Sequence, residues 1–309
     1  MTKKEIANLR NIKWRTRRDL RITTEKGALD FIDDVGFCFA FASSGIIAGS
    51  RQLLTEATED TFANNLLPSL WEAVCGVPGG IPAIHPHHDP YIGPVWGYKD
   101  ALPLKRRVFY GKVLKQKPTF ISLRMLPYFY ALLGSPTPEE DYLEEYQRGA
   151  LGQEAKDIFE CLLRSGSLPN TLLRGELGML TKARKYRFGR AMTELQSTLR
   201  IVKVDVSDDG TIWDLFSRWM PEVIKAASRI NRKEAMKNIV LAYISDLVII
   251  TPKMMSRLFG WDAKEVEEIV QLLAQEDKIQ LGVRIEGFHS ASTLISVSER
   301  ILSRLPAIL

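Results

Sequence analysis

The chain has 309 residues, 45% of them apolar and 26% charged, a globular balance that excludes global disorder and collagen-like or disulfide-scaffold compositions. Its 42 Lys and Arg against 37 Asp and Glu leave a net charge of +5, which is too small an excess to prove a polyanionic partner by itself. The length suggests two or three compact units. Three scattered cysteines, Cys38, Cys75 and Cys161, form no CxxC pair and suit a reducing cytoplasm. The most apolar run, Val35 to Ala48, falls short of the about 20 residues a bilayer span needs. No apolar stretch follows the basic first residues, so neither membrane insertion nor export is expected.

In chain order, Met1 to Lys26 form a basic arm in which nine cations face three acids. Thr24 is a plausible helix cap. Ala28, Phe31, Ile32 and Val35 follow at helical spacing, and Gly36 predicts the stop. Residues 76–103 are rich in Pro and Gly and read as an ordered loop anchored by Tyr91, Trp96 and Tyr98, because proline removes donors and fixes φ. From Lys105 to Arg124 there are seven cations and no acid. The sign flips at Glu139, Glu140 and Asp141, where acids suit the start of a helix.

The second half contains an internal repeat. A shift of 82 positions brings Ile158 onto Val240, Leu162 onto Ile244, Leu173 onto Met255 and Gly178 onto Gly260. A third helix follows in each copy, through Phe188, Met192 and Leu195 in one and Val266, Ile269 and Leu273 in the other. Each is followed by an extended pair. The first runs over Ile201 to Val206 and Thr211 to Leu215 around an Asp-Asp-Gly turn, and the second over Lys278 to Ile285 and Ser290 to Val297. Helix, turn, helix, helix, hairpin is the order of a winged helix. The expected fold is therefore mainly α with small β-hairpins (α+β), in tandem winged-helix modules. The expected segments are 1–138 (basic arm, winged-helix-like and helical region with the Pro/Gly loop), 139–230 (a basic winged helix) and 231–309 (an acidic one).

The third helix of the first copy opens with Lys182, Arg184, Lys185, Arg187 and Arg190, five cations interleaved with Tyr186 and Phe188. This is where a helix-turn-helix docks on DNA, so the cluster reads as a phosphate clamp, with a solvated basic face as the alternative. Arg106, Arg107 and Lys112 are further candidate contacts. The matching helix of the second copy holds Asp262, Glu265, Glu267 and Glu268, which DNA would repel. It reads as structural or as a surface for a protein partner.

Other chemistry is thinner. His85, His87, His88 and Asp89 invite a metal, but no second cluster completes the ligand set and no metal is expected. No Gly-rich phosphate loop is present, and no cofactor is expected. Asp33 and Asp34 close the first helix and are the candidate acid–base carboxylates, although paired acids usually solvate a helix face.

The stretches ALDFIDDVGFCFAF, LPSLWEA, LTKARKYRFGRAMTELQ and LFSRWMPE resemble the AlkZ-like group of winged-helix proteins. That group includes bacterial DNA glycosylases that excise bulky alkylated or crosslinked bases. The resemblance implies a basic DNA-binding concavity and a further winged helix around Thr24 to Phe41. Active members carry a Gln-x-Gln or Gln-x-Asp motif after a Gly that ends a helix. Here Cys38 and Ala40 occupy those positions, and no Gln lies between Thr23 and Arg51. The expectation is a cytoplasmic, monomeric protein that binds double-stranded DNA without the family's catalytic motif. An active glycosylase with other polar groups, or an interaction module or transcriptional regulator, remains open.

Overall fold

The computed structural model describes residues 2–41, 66–76, 93–286 and 293–298. It is mainly helical with small antiparallel sheets, the α+β composition expected. The first elements are α1 (Lys3–Lys13), α2 (Glu25–Val35), β1 (Phe37–Phe39), α3 (Leu70–Cys75) and α4 (Gly93–Leu104). The hairpin β2 (Val108–Gly111) and β3 (Thr119–Ser122) leads to α5 (Leu126–Leu133) and α6 (Pro138–Gln147). Next come α7 (Gln153–Ser165), β4 (Leu168–Pro169), α8 (Asn170–Glu176), α9 (Lys182–Ser197), β5 (Ile201–Ser207) and β6 (Gly210–Leu215). Two short helices, α10 (Phe216–Trp219) and α11 (Pro221–Ala227), precede α12 (Arg232–Leu247), β7 (Ile249–Ile250), α13 (Pro252–Phe259), α14 (Ala263–Gln275), β8 (Ile279–Leu281) and β9 (Ile295–Val297).

The chain divides into two compact units, Met1–Val95 with Met236–Leu309, and Trp96–Ala235. This grouping is spatial, whereas the expected segments follow chain order. In the first unit the cap signals act as read. The Thr24 side chain accepts from the Gly27 N–H, and Gly36 ends α2 at φ 77°, where a Cβ would be strained. The basic arm is more than an arm. Its residues form α1, closed by a capping box between Thr2 and Glu5. Arg10 of α1 is buried and donates to the carbonyls of Leu247 (2.6 Å) and Ile249 (2.9 Å). Trp14 Nε1 donates to the Asp246 carbonyl at 2.8 Å, and Lys13 to Ser245. Ile6 packs with Val248, Ile249, Ile285 and Leu294.

In the second unit, α7 and α9 close over one core. Ala155, Ile158, Phe159 and Leu162 meet Phe188, Met192 and Leu195 beneath Ile201, Trp213 and Leu215 of the hairpin. β5 and β6 pair from Ile201↔Leu215 to Ser207↔Gly210, so Asp208 and Asp209 form the turn and Gly210 takes φ 98°. The guanidinium of Arg200, only 4% exposed, donates to the Pro138 carbonyl at 3.1 Å and pairs with Glu145 and with Asp141 (3.6 Å). Lys203 of β5, also buried, pairs with Asp100 of α4.

The 82-residue repeat holds in space. Ile158, Leu162 and Leu173 are buried, and so are Val240, Ile244 and Met255. Gly178 and Gly260 both take positive φ after the second helix of their copy. Both copies run helix, short strand, helix, helix, hairpin, and the sheet orders correspond: β4-β6-β5 and β7-β9-β8. Among the described residues, α2, β1, α3, α4 and the β2–β3 hairpin follow one another in the same order.

Two readings need correction. The Pro/Gly-rich stretch is not all loop, since its last residues form α4, which carries Trp96 and Tyr98. Pro94 falls in the first turn, where its missing N–H breaks no helical bond, and Pro103 falls in the last. Residues 77–92, with Tyr91 and the His85–Asp89 run, lie outside the described residues. The second hairpin is shorter than expected, with β8 ending at Leu281, and residues 287–292 of its turn also lie outside.

Candidate nucleic-acid interface

α9 begins at Thr181, whose hydroxyl accepts from the Arg184 N–H. Its apolar residues Phe188, Ala191, Met192 and Leu195 recur at helical spacing and turn one face to the core. At 3.6 residues per turn, Lys182, Tyr186, Gly189 and Thr193 share the opposite face, with Arg190 beside them. From Lys182 to Arg190 every residue but Phe188 is exposed.

The cations on this helix are not equivalent. Arg187 lies 3.6 Å from Glu154, and the Arg184 guanidinium donates to the Gly178 carbonyl at 3.1 Å. Both line a recess of about 210 Å³ with Glu154 and Asp157, so acids already offset part of their charge. Lys182, Lys185 and Arg190 have no ion-pair partner among the described residues and stand open to a ligand.

The structure brings one of the other candidates to α9. Lys112, in the β2–β3 connection, donates from its backbone to Gln196 Oε1 (3.2 Å) and from Nζ to the Thr193 hydroxyl (3.3 Å). Its ammonium is thereby carried to the outward face, one turn beyond Gly189. Arg107 is exposed and unpaired among the described residues. Arg106 is placed differently. It takes φ 52°, and its guanidinium stacks 3.8 Å from the Trp219 ring, a cation–π contact within its own unit. The outer end of the hairpin after α9 adds no positive charge, because it carries Asp205, Asp208 and Asp209, and Lys203 further in is buried against Asp100.

The remaining candidates lie in the first unit. Asp33 and Asp34 are both exposed at the end of α2, and Asp34 pairs with Arg15 at 2.5 Å. Cys38 and Ala40 are fully buried. Burial first, and then the Asp246 carboxylate, push the Cys38 thiol well above its ordinary range, which makes it an inert core group rather than a nucleophile. In the last module, Asp262, Glu267 and Glu268 are exposed, while Glu276 pairs with Lys237 and Lys278. Among the described residues no cluster of three His, Cys, Asp or Glu could hold a metal ion, and no helix is long and apolar enough to cross a membrane.

Sequence reasoning noted Tyr186 only as a neighbour of the cations, gave it no contact of its own, and missed Gly189. Their signal was helical phase: Tyr186 falls on the side away from Phe188, and Gly189 lies three residues on from it on the exposed surface, where neither an aromatic ring nor a bare backbone is needed for packing.

These features define a class: an α+β protein of repeated helix–hairpin modules, one of which presents a cationic helix. The AlkZ-related family model matches residues 65–260, and the chain belongs to that family. Among solved structures it is similar to the Streptomyces sahachiroi DNA glycosylase AlkZ, at 11% identity and a TM-score of 0.51, over 96% of this chain and 71% of that one. No curated protein matches it in sequence.

Proposed function

We propose that this protein binds double-stranded DNA through its phosphate backbone, as a non-excising relative of alkyl and crosslink repair glycosylases. The three helix–hairpin segments are read as winged helices. In the middle one α9 takes the place of the helix that enters the major groove. The observation that carries this reading is the outward face of α9, where Lys182, Lys185 and Arg190 stand unpaired and Lys112 is tied on at Thr193. The acidic end of the β5–β6 hairpin implies that the helix, not the wing, supports the contact.

The chemistry of base excision finds little support. Cys38 and Ala40, in the motif positions, offer a buried thiol and a methyl group where relatives use polar side chains. Asp34 is exposed and its carboxylate is already engaged by Arg15, which leaves it no enclosed position from which to activate a water. The protein works as a monomer in the cytoplasm. The acidic face of α14 is left to contacts with other proteins, since a phosphate chain would be repelled there.

The test is binding to a labelled plain duplex by fluorescence anisotropy between about 50 and 200 mM salt. Four to six phosphate contacts give a slope of log K against log salt of about −4 to −5. The double variant Lys185→Glu, Arg190→Glu should weaken binding and flatten that slope by about 2. A wild-type protein whose binding ignores salt would overturn the proposal.

A further inference from the structure

Among the described residues, the three large apolar side chains left most exposed are Tyr186 at 70%, Leu180 at 64% and Leu172 at 53%. All lie between positions 172 and 186, on α8, its connection and α9, the stretch that also carries the unpaired cations. Chance would scatter them over the surface.

Local packing does not account for them. Leu180 sits just before the cap residue Thr181, where an apolar side chain ordinarily packs against the fourth residue of the helix. That residue is Lys185, so Leu180 has no apolar partner there. None of the described residues stacks on Tyr186 or bonds its hydroxyl. The ring points away from the core, opposite Phe188 and Met192. Beside it, one helical step on, is Gly189, the one glycine in the body of α9. A Cβ there would meet nothing within 4 Å, so no neighbour inside the protein demands a glycine. A glycine in the body of a helix costs about 0.5–1 kcal/mol relative to alanine. Its use here fits the close approach of a ligand's backbone.

An exposed ring between cations, next to bare helix backbone, has the chemistry that holds a nucleotide with its base face uncovered. Cations take the phosphates, the glycine admits the sugar–phosphate chain and the ring stacks on the base. In an intact duplex each base face is already covered by its neighbours, so the ring would gain only edge contacts in the groove. Where a base is unpaired or bulged, a face is open.

We infer that the α9 surface distinguishes DNA carrying an unpaired, unstacked base from continuous duplex, with Tyr186 as the stacking platform and Leu180 as an apolar contact beside the cap. The inference rests on the reading of α9 as a DNA-binding helix and adds the class of DNA it selects. Tyr186 is a specificity-determining residue for that site, and the cations supply the part of binding common to both DNAs.

The test compares the full chain with its Tyr186→Ala and Tyr186→Phe variants on two labelled DNAs, a plain duplex and the same duplex with one bulged 2-aminopurine. Wild type should bind the bulged DNA about 5- to 100-fold more tightly, the range that stacking on one base supplies, and should quench the 2-aminopurine signal. Tyr186→Ala should abolish the preference and the quenching, cost the bulged DNA more affinity than the plain duplex, and leave the plain-duplex salt slope unchanged, since no charge is removed. Tyr186→Phe should retain both. Equal wild-type affinity for the two DNAs, a preference that survives Tyr186→Ala, or an equal loss on both DNAs would overturn the inference and leave backbone binding standing. Wild-type binding to plain duplex that is absent or salt-insensitive would overturn the reading beneath it.

Discussion

The Lys112 ammonium donates to the Thr193 hydroxyl at 3.3 Å, a bond between residues 81 positions apart that brings the first basic stretch to the helix carrying the second. Thr193 in turn donates to the Gly189 carbonyl at 2.9 Å, so its rotamer is set by the helix and its lone pairs face Lys112. Removing the ammonium with Lys112→Met should weaken duplex binding and lower the salt slope by about 1. Stability should fall by less than about 1 kcal/mol, the usual worth of one hydrogen bond at a half-exposed site. Arg106→Met should leave the salt slope unchanged, because that guanidinium is engaged on Trp219. A larger slope change from Arg106 than from Lys112 would contradict the assignment.

Gly189→Ala separates stability from binding. A Cβ at this position touches nothing in the protein, and alanine is the better helix former. Melting temperature should rise, by the equivalent of about 0.5–1 kcal/mol. DNA affinity should fall, because the added methyl lies on the face that meets the ligand. A variant with a higher melting temperature and undiminished binding would place the DNA elsewhere on the helix.

Arg200 is the buried charge whose loss should cost most. Its guanidinium serves the Pro138 carbonyl, Glu145 and Asp141, and thereby ties α6 to the turn between α9 and β5. Arg200→Met leaves two carboxylates facing an apolar side chain. Breaking such a pair from one side costs about 3–5 kcal/mol. Denaturant unfolding should show that loss, and Glu145→Gln in the same background should recover part of it. If Arg200→Met unfolds at the wild-type midpoint, the network is ornamental.

The Asp100–Lys203 pair gives stability a pH signature. Burial by itself would raise the Asp100 pKa, but the hydrogen bonds and charges of Lys203 and Lys99 outweigh it and hold the group below its ordinary 3.8. Burial chiefly lowers the Lys203 pKa, and Asp100 opposes that shift. A carboxylate with a depressed folded-state pKa contributes stability above its unfolded value and loses it as pH falls through the folded one. Asp100→Asn should therefore melt below wild type at pH 7, where Lys203 keeps its charge but loses the carboxylate it is bonded to. The gap should narrow as pH drops below 3.8. A gap that stays constant down to about pH 2 would mean that the pair adds nothing through charge.

Much of the architecture was legible because its causes are local. Thr24 and Gly36 mark the ends of a helix by their own hydrogen bond and φ, and Asp208–Gly210 specify a tight turn in the same way. The repeat showed itself because buried positions at equal spacing must carry similar residues. Long-range commitments were not legible. Nothing near Arg10 in the chain says that its guanidinium will be buried against the carbonyls of Leu247 and Ile249, or that Arg106 will settle on Trp219. Both looked like members of basic runs. The two-residue strands β4 and β7 were missed because so short a ladder leaves no alternation to read. Helix α4 was missed because prolines at its two ends were weighed as if they stood in its middle. The cationic face of α9 was visible as composition, but its division into paired and open charges depends on Glu154, which only the fold brings near, and on the turn that aims the Gly178 carbonyl at Arg184.

The docking of α1 also bears on the order in which the molecule can be completed. Arg10 and the carbonyl it serves on Ile249 are 239 positions apart, whereas residues 96–235 form their unit from one continuous stretch. During synthesis that middle stretch leaves the ribosome with its own partners in hand, while Arg10, Lys13 and Trp14 wait for residues 245–249. A chain interrupted before Leu247 would therefore carry an undocked, strongly cationic α1, and damage to the module around residues 245–249 would expose α1 to proteases. The docking of α1 is thus secured only after residues 245–249 have been made.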